Sequence, residues 1–150
     1  MQRTKEEMGE KLNDLLEKSY DAKKGFQTAA DNVKNDRLRD FFHQKAEERK
    51  MFIKELREEI TGYGQVPEDG GSASGKMHRT WMDMKSALSG NDEKAVLEES
   101  LKGEKAALED YEDITSETDL PPTLSSKLSQ QQHHIQNSIN NVKMYEQMFD

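Results

Sequence analysis

The sequence predicts an all-α fold: four long helices in a bundle with one long crossover. Three observations lead there. Apolar residues recur at helical spacing in four separate stretches. No run of alternating β-branched residues reads as a strand. Five of the nine glycines fall in one stretch, 62–75, which marks a single long connection.

The first helix is expected over 4–35. Thr4 and Glu7 have the spacing of a capping box, and Leu12, Leu15, Leu16, Phe26, Ala29, Ala30 and Val33 form its stripe. The second is expected over 36–61, with Leu38, Phe41, Phe42, Phe52, Ile53, Leu56 and Ile60 in the same pattern. The junction at Asn35 and Asp36 is short, so the two should pack as an antiparallel hairpin. A short extra helix is expected over 76–89, with Met77, Trp81, Met84 and Leu88 as its seam. Gly90-Asn91-Asp92 breaks it and caps a helix over 93–116, whose seam is Val96, Leu97, Leu101, Ala107, Leu108, Tyr111 and Ile114. Pro121 and Pro122 make a turn and suit the start of the last helix, 123–148. Its seam is Leu124, Leu128, Ile135, Ile139, Val142, Tyr145 and Phe149.

The expected organisation is one domain over 1–150: a helical hairpin 4–61, a crossover 62–91 and a second hairpin 92–149. An up-down-up-down bundle needs a short second connection, and this one has about 30 residues. Two hairpins joined by one long crossover make the ferritin-like arrangement.

The chain of 150 residues is 35% charged and 32% hydrophobic, a lean core that helical periodicity places efficiently. Its net charge of -8, from 30 acidic and 22 basic residues, argues against nucleic acid and against an anionic membrane as partner. With no cysteine, disulfides, thiol catalysis and zinc–thiolate sites are excluded. No stretch approaches the roughly 18 apolar residues of a membrane span. The segment Met1-Gln2-Arg3-Thr4-Lys5-Glu6-Glu7 has no apolar core of a signal peptide, so a cytoplasmic location is expected.

Polar residues interrupt the seams near the middle of each long helix: Lys23, the pair Glu48 and Arg49, Glu104, and Gln131 to His134. At 1.5 Å per residue, Lys23 and Arg49 lie roughly 18 and 21 Å from the first turn. Glu104, Gln131 and His134 lie at similar distances from the Pro121 turn. The four interruptions therefore share one level. A buried charge is costly unless paired or bound to a metal, so that level is an ion-pair layer or a metal site. A carboxylate-bridged two-metal site in such a bundle takes a Glu from each of two helices and Glu-x-x-His from the other two. Glu48, Glu104, Gln131 and His134 could form part of such a set, for iron or manganese. Position 51 is Met51 where a histidine would stand, Gln131 replaces a charged ligand, and Lys23 occupies the first helix's ligand position. Lys23, Arg49, Glu48 and Glu104 sum to zero charge, which favours a buried polar layer completed by Gln131, with no cofactor expected.

Leu12-Asn13-Asp14-Leu15-Leu16, Asp21-Ala22-Lys23-Lys24-Gly25-Phe26, Ala46-Glu47-Glu48-Arg49, His78-Arg79-Thr80-Trp81-Met82-Asp83-Met84-Lys85 and Lys102-Gly103-Glu104 together resemble the small bacterial ferritin-like proteins of the YciF type. The likeness runs over nearly the whole chain. It implies a ferritin-like bundle, dimerisation through helix faces, a link to stress responses, and metal binding of the kind suspected from that fold.

Three functional readings follow. The leading one is a stress-associated binding or interaction module without a standard di-iron centre. The second is a divergent metal-dependent oxidase or peroxidase, with Glu48, Glu104 and His134 as ligands, Gln131 as a neutral ligand and Tyr111 nearby. The third is a structural homodimeric scaffold.

Overall fold

The computed structural model describes residues 4–70, 93–117 and 120–149. Four helices account for most of them: α1 Lys5–Asn32, α2 Asp36–Gly62, α3 Glu93–Thr115 and α4 Pro122–Met148. There is no strand among the described residues. The expected short helix over 76–89 and the cap at Asp92 lie outside them.

Local chemistry sets the helix ends. The Thr4 hydroxyl accepts from the Glu7 backbone N–H at 3.1 Å and donates to the Glu7 carboxylate at 3.0 Å. The first helix stops three residues earlier than the apolar stripe suggests, because Asn35 takes the N-cap of α2 and accepts from Leu38 N–H at 3.1 Å. Val33 and Asn35 are extended, which turns the chain. Pro122 opens α4, where its missing N–H costs nothing.

Each helix buries its stripe, and the buried residues fall into two clusters. The lower cluster takes Leu12 and Leu16 from α1, Phe52, Leu56 and Ile60 from α2, Tyr111 and Ile114 from α3, and Leu124, Leu128 and Ile135 from α4. The upper cluster takes Phe26, Ala29 and Ala30, then Leu38, Phe42 and Ala46, then Val96 and Leu97, then Val142. Helix direction follows from this membership. The start of α1, the end of α2, the end of α3 and the start of α4 share the lower end. Around the bundle α1 packs on α2 and α3, and α4 packs on α3 and α2, so every neighbouring pair runs antiparallel. Because α2 ends low and α3 begins high, residues 63–92 link opposite ends of the bundle.

The described start of that connection lies along α1. Gln65 sits against Gly9, where an added Cβ would collide with its Cγ. Asn13 donates to Val66 O at 3.1 Å and accepts from Glu68 N–H at 3.0 Å. Arg57 donates to Glu68 O at 2.7 Å and to the Tyr20 hydroxyl at 3.1 Å. Gly70, at φ +84°, lies on the Tyr20 ring, where a side chain would collide. Positions 65 to 70 thus advance past α1 residues 9, 13 and 20, towards the upper end. No described helix is long and apolar enough to cross a membrane.

Candidate functional site

Between the two clusters lies a polar level built from α2, α3 and α4. Its centre is Arg49 of α2 against Glu104 of α3, only 2% and 0% exposed. Arg49 Nη1 donates to Glu104 Oε2 at 3.2 Å, and Nη2 donates to the other oxygen, Oε1. This is a two-pronged guanidinium–carboxylate pair, the strongest form of neutral ion pair in a dry interior. Phe26 and Phe52 close on the guanidinium, with ring centroids 5.6 and 5.1 Å from its Cζ. Their faces add cation–π attraction and keep water away. Helical spacing explains the placement, since Phe42, Arg49, Phe52 and Leu56 fall on one face of α2.

A second polar chain crosses the lower side of this level. The Tyr111 hydroxyl donates to Gln131 Oε1 at 2.6 Å, and Gln131 Nε2 donates to Glu55 Oε1 at 3.0 Å. Tyr111 and Gln131 are buried and Glu55 is half-buried, so the chain runs from the core towards solvent. Burial pushes the Tyr111 phenol well above its ordinary value, against the opposing pull of the Arg49 cation.

On the upper side Lys45 is buried, 5.4 Å from the centre of the Phe41 ring, and its ammonium meets both Glu48 oxygens at 3.3 and 3.2 Å. His134 Nδ1 lies 3.9 Å from Glu48 Oε1, with its side chain 48% exposed.

The expected layer is corrected in two members. Lys23 is half-buried, not enclosed, and its Nζ stands 5.8 Å from the Tyr20 ring centre. Glu48 is also half-buried, one step off its seam. The inner cation beside Glu48 is Lys45, which sequence reading missed although Phe42, Lys45, Arg49 and Phe52 keep helical spacing. Glu55 was missed as well; only its place one turn from Phe52 and beside Leu56 hinted at it.

The residues do not fit a two-metal centre. Both Glu104 oxygens are held by Arg49, and both ends of the Gln131 amide are engaged. Glu48 is held by Lys45, and His134 lies at the surface. A metal ion here would have to displace a guanidinium that carries its charge and its hydrogen bonds. Among the described residues, no group of three or more His, Asp or Glu side chains is disposed to hold a metal.

The sequence matches the family model described as a domain of unknown function, DUF2383, over residues 7–117. The chain belongs to that family. The matched span covers α1 from Glu7 onwards and all of α2 and α3, and with them both partners of the Arg49–Glu104 pair; Gln131 and His134 lie beyond it. No curated protein matches the chain.

Proposed function

We propose that this DUF2383 protein is a single ferritin-like domain whose central level holds a fixed ion pair where related bundles hold metal, and that it acts as a cytoplasmic, stress-associated binding or interaction module. Two helical hairpins, antiparallel neighbours throughout, and a connection between opposite ends support the ferritin-like reading. The likeness to YciF-type proteins supports the stress association. The observation that carries the proposal is the seizure of both Glu104 oxygens by Arg49. A guanidinium never deprotonates at ordinary pH, so the layer keeps its positive charge without a metal. Such a layer offers no open coordination position, and therefore no route for metal-centred oxidation. The test is metal analysis of protein purified without chelators. Iron and manganese well below one ion per chain are expected. About two ions per chain, lost in Glu104→Ala, would overturn the proposal.

A further inference from the structure

The start of the connection is held by α1 and α2 in the way a helical groove holds a bound peptide. The Asn13 amide donates to the Val66 carbonyl at 3.1 Å and accepts from the Glu68 N–H at 3.0 Å. Arg57 donates to the Glu68 carbonyl at 2.7 Å. In an extended chain these three backbone groups point to one side, the side that a neighbouring strand would engage. The path is extended too. Gly9 and Tyr20 are about 16.5 Å apart along α1, and Gln65 to Gly70 cover that in five steps of about 3.3 Å, the rise of a strand. Two glycines set the ends. The missing side chain of Gly9 leaves the slot that Gln65 fills, and Gly70, at φ +84°, lets the backbone meet the Tyr20 ring. Between them Val66 is 84% exposed, so its side chain takes no part in the grip.

We propose that this α1–α2 groove is a site for an extended peptide of a partner protein, and that residues 65–70 close it from within. Such a site deepens the reading of the chain as a binding module, on which it rests, by naming the class of partner. The contacts select the occupant. Asn13 and Arg57 engage backbone groups alone, so they accept any sequence with an N–H at the fourth position. The Gly9 slot takes a long unbranched side chain at the first position, and the Tyr20 ring requires glycine at the sixth. The second position is open, as Val66 is. Main-chain bonds for affinity and a few side-chain slots for choice are how extended peptides are recognised on sheet edges as well. Occupation from within sets the affinity. Gln65 follows the end of α2 by three residues, and a segment so tethered meets the groove at an effective concentration on the order of millimolar. A partner peptide binds only the fraction of chains whose own segment is released, and its apparent affinity is reduced by that fraction. A second copy is a poor source of the peptide, because its own segment is engaged in the same way.

Fluorescence anisotropy of a labelled peptide with the sequence of residues 64–70, titrated with the full chain, tests this. Two variants free the groove and leave its walls intact. Glu68→Pro removes the N–H that Asn13 accepts. Gly70→Val collides with Tyr20 and disfavours φ +84°. Each should bind the peptide at least tenfold more tightly than the wild type does, with unchanged helical circular dichroism. Asn13→Ala added to either should weaken binding at least tenfold. A peptide N-methylated at its glutamate should bind about fivefold more weakly, having lost one hydrogen bond. Binding that is equal in the wild type and both variants, that survives Asn13→Ala undiminished, or that is absent from both variants up to about 1 mM would overturn the inference. So would a wild-type dimer in sedimentation equilibrium that Asn13→Ala dissociates, since the groove would then hold the segment of a second copy. Metal analysis of the same samples separates the two readings. About two ions per chain would overturn the proposed function whatever the peptide does, and a failed peptide titration without metal overturns the peptide site alone.

Discussion

The lower and upper halves of the bundle solve the same packing problem with different side chains. Below the polar level the core is made mainly of leucine and isoleucine, with Met8 at its end. Above it, Ala22, Ala29, Ala30 and Ala46 line the helices, and Phe26, Phe41 and Phe42 fill the space between them. Phe26 and Phe42 stack with centroids 6.1 Å apart, and Phe41 meets Phe42 at 5.4 Å and Tyr145 at 5.1 Å. The surfaces differ too. The lower half carries most of the excess acid, including Glu6, Glu7, Glu10 and Asp14 on α1 and Glu109, Asp110, Glu112 and Asp113 on α3. The upper half mixes Lys34, Arg37 and Arg39 with Asp31, Asp36 and Asp40. The polar level is therefore a boundary between two unlike cores, joined by Arg49 reaching from α2 to α3.

Removing one partner of that boundary should produce the largest effect. Glu104→Ala leaves a buried guanidinium between two aromatic rings with no counter-charge, and should destabilise the fold by about 3–5 kcal/mol. Arg49→Met combined with Glu104→Leu should recover most of the loss, because an apolar pair needs no desolvation. Urea unfolding of the wild type and these two variants measures both. A single substitution costing under about 1 kcal/mol would mean that the pair is solvated and the two cores are not separated by it.

Tyr111→Phe comes next, with an expected cost of about 1–3 kcal/mol, since Gln131 Oε1 loses its donor inside the core. It also has a pH signature. The folded phenol titrates above the unfolded one, so the unfolded chain releases its proton first. Stability from this group is complete below about pH 10 and falls by up to about 1.4 kcal/mol per pH unit above it. Unfolding curves between about pH 9 and 11 should be flatter in Tyr111→Phe than in the wild type. Equal slopes would place the phenol in water.

The four long helices were legible from the sequence because each buries one stripe at constant spacing. Their bounds differ from the expectation by three residues or fewer, most at the end of α1, where Asn35 chose to cap rather than continue. Among the polar residues, Arg49, Glu104 and Gln131 could be read as seam members because each follows a run of apolar positions. Lys45 and Glu55 could not be told from solvated neighbours, since a lysine or glutamate beside a seam is exposed more often than buried. Lys23 failed in the other direction: its Cα lies at the right level, but a four-carbon stem lets the charge leave. The partner choice of Arg49 was invisible too, because it depends on which helices adjoin across the bundle.

Asn13 tests the lower half by a different route. Its amide holds two backbone groups of the connection, Val66 O and Glu68 N–H, against α1. Asn13→Ala should cost about 1 kcal/mol and speed amide exchange at Glu68 without changing exchange in the upper core. Exchange that rises equally in both halves would mean that the connection start is part of one cooperative unit with the whole bundle.

The smallest effect belongs to the acid itself. Lys18 lies between Asp14 at 2.9 Å and Asp110 at 3.0 Å, and so ties α1 to α3 in the region of highest negative charge. Burial disfavours the Lys18 ammonium, but the two carboxylates together outweigh it and hold its titration above the ordinary lysine value. All three groups are partly exposed, so solvent screens them and Lys18→Met should cost no more than about 1 kcal/mol. Its sign under salt is the informative part. In the wild type, salt weakens these bridges but also relieves the surrounding repulsion, and the two effects oppose. In Lys18→Met only the repulsion is left, so added salt should stabilise the variant more than the wild type. The same substitution logic at Lys50, which meets Glu47 at 2.9 Å at the polar level and away from the acidic α1 and α3 segments, should show no such gain. A salt response that is equal at the two sites would mean that acid excess in the lower half is too dispersed to act on stability.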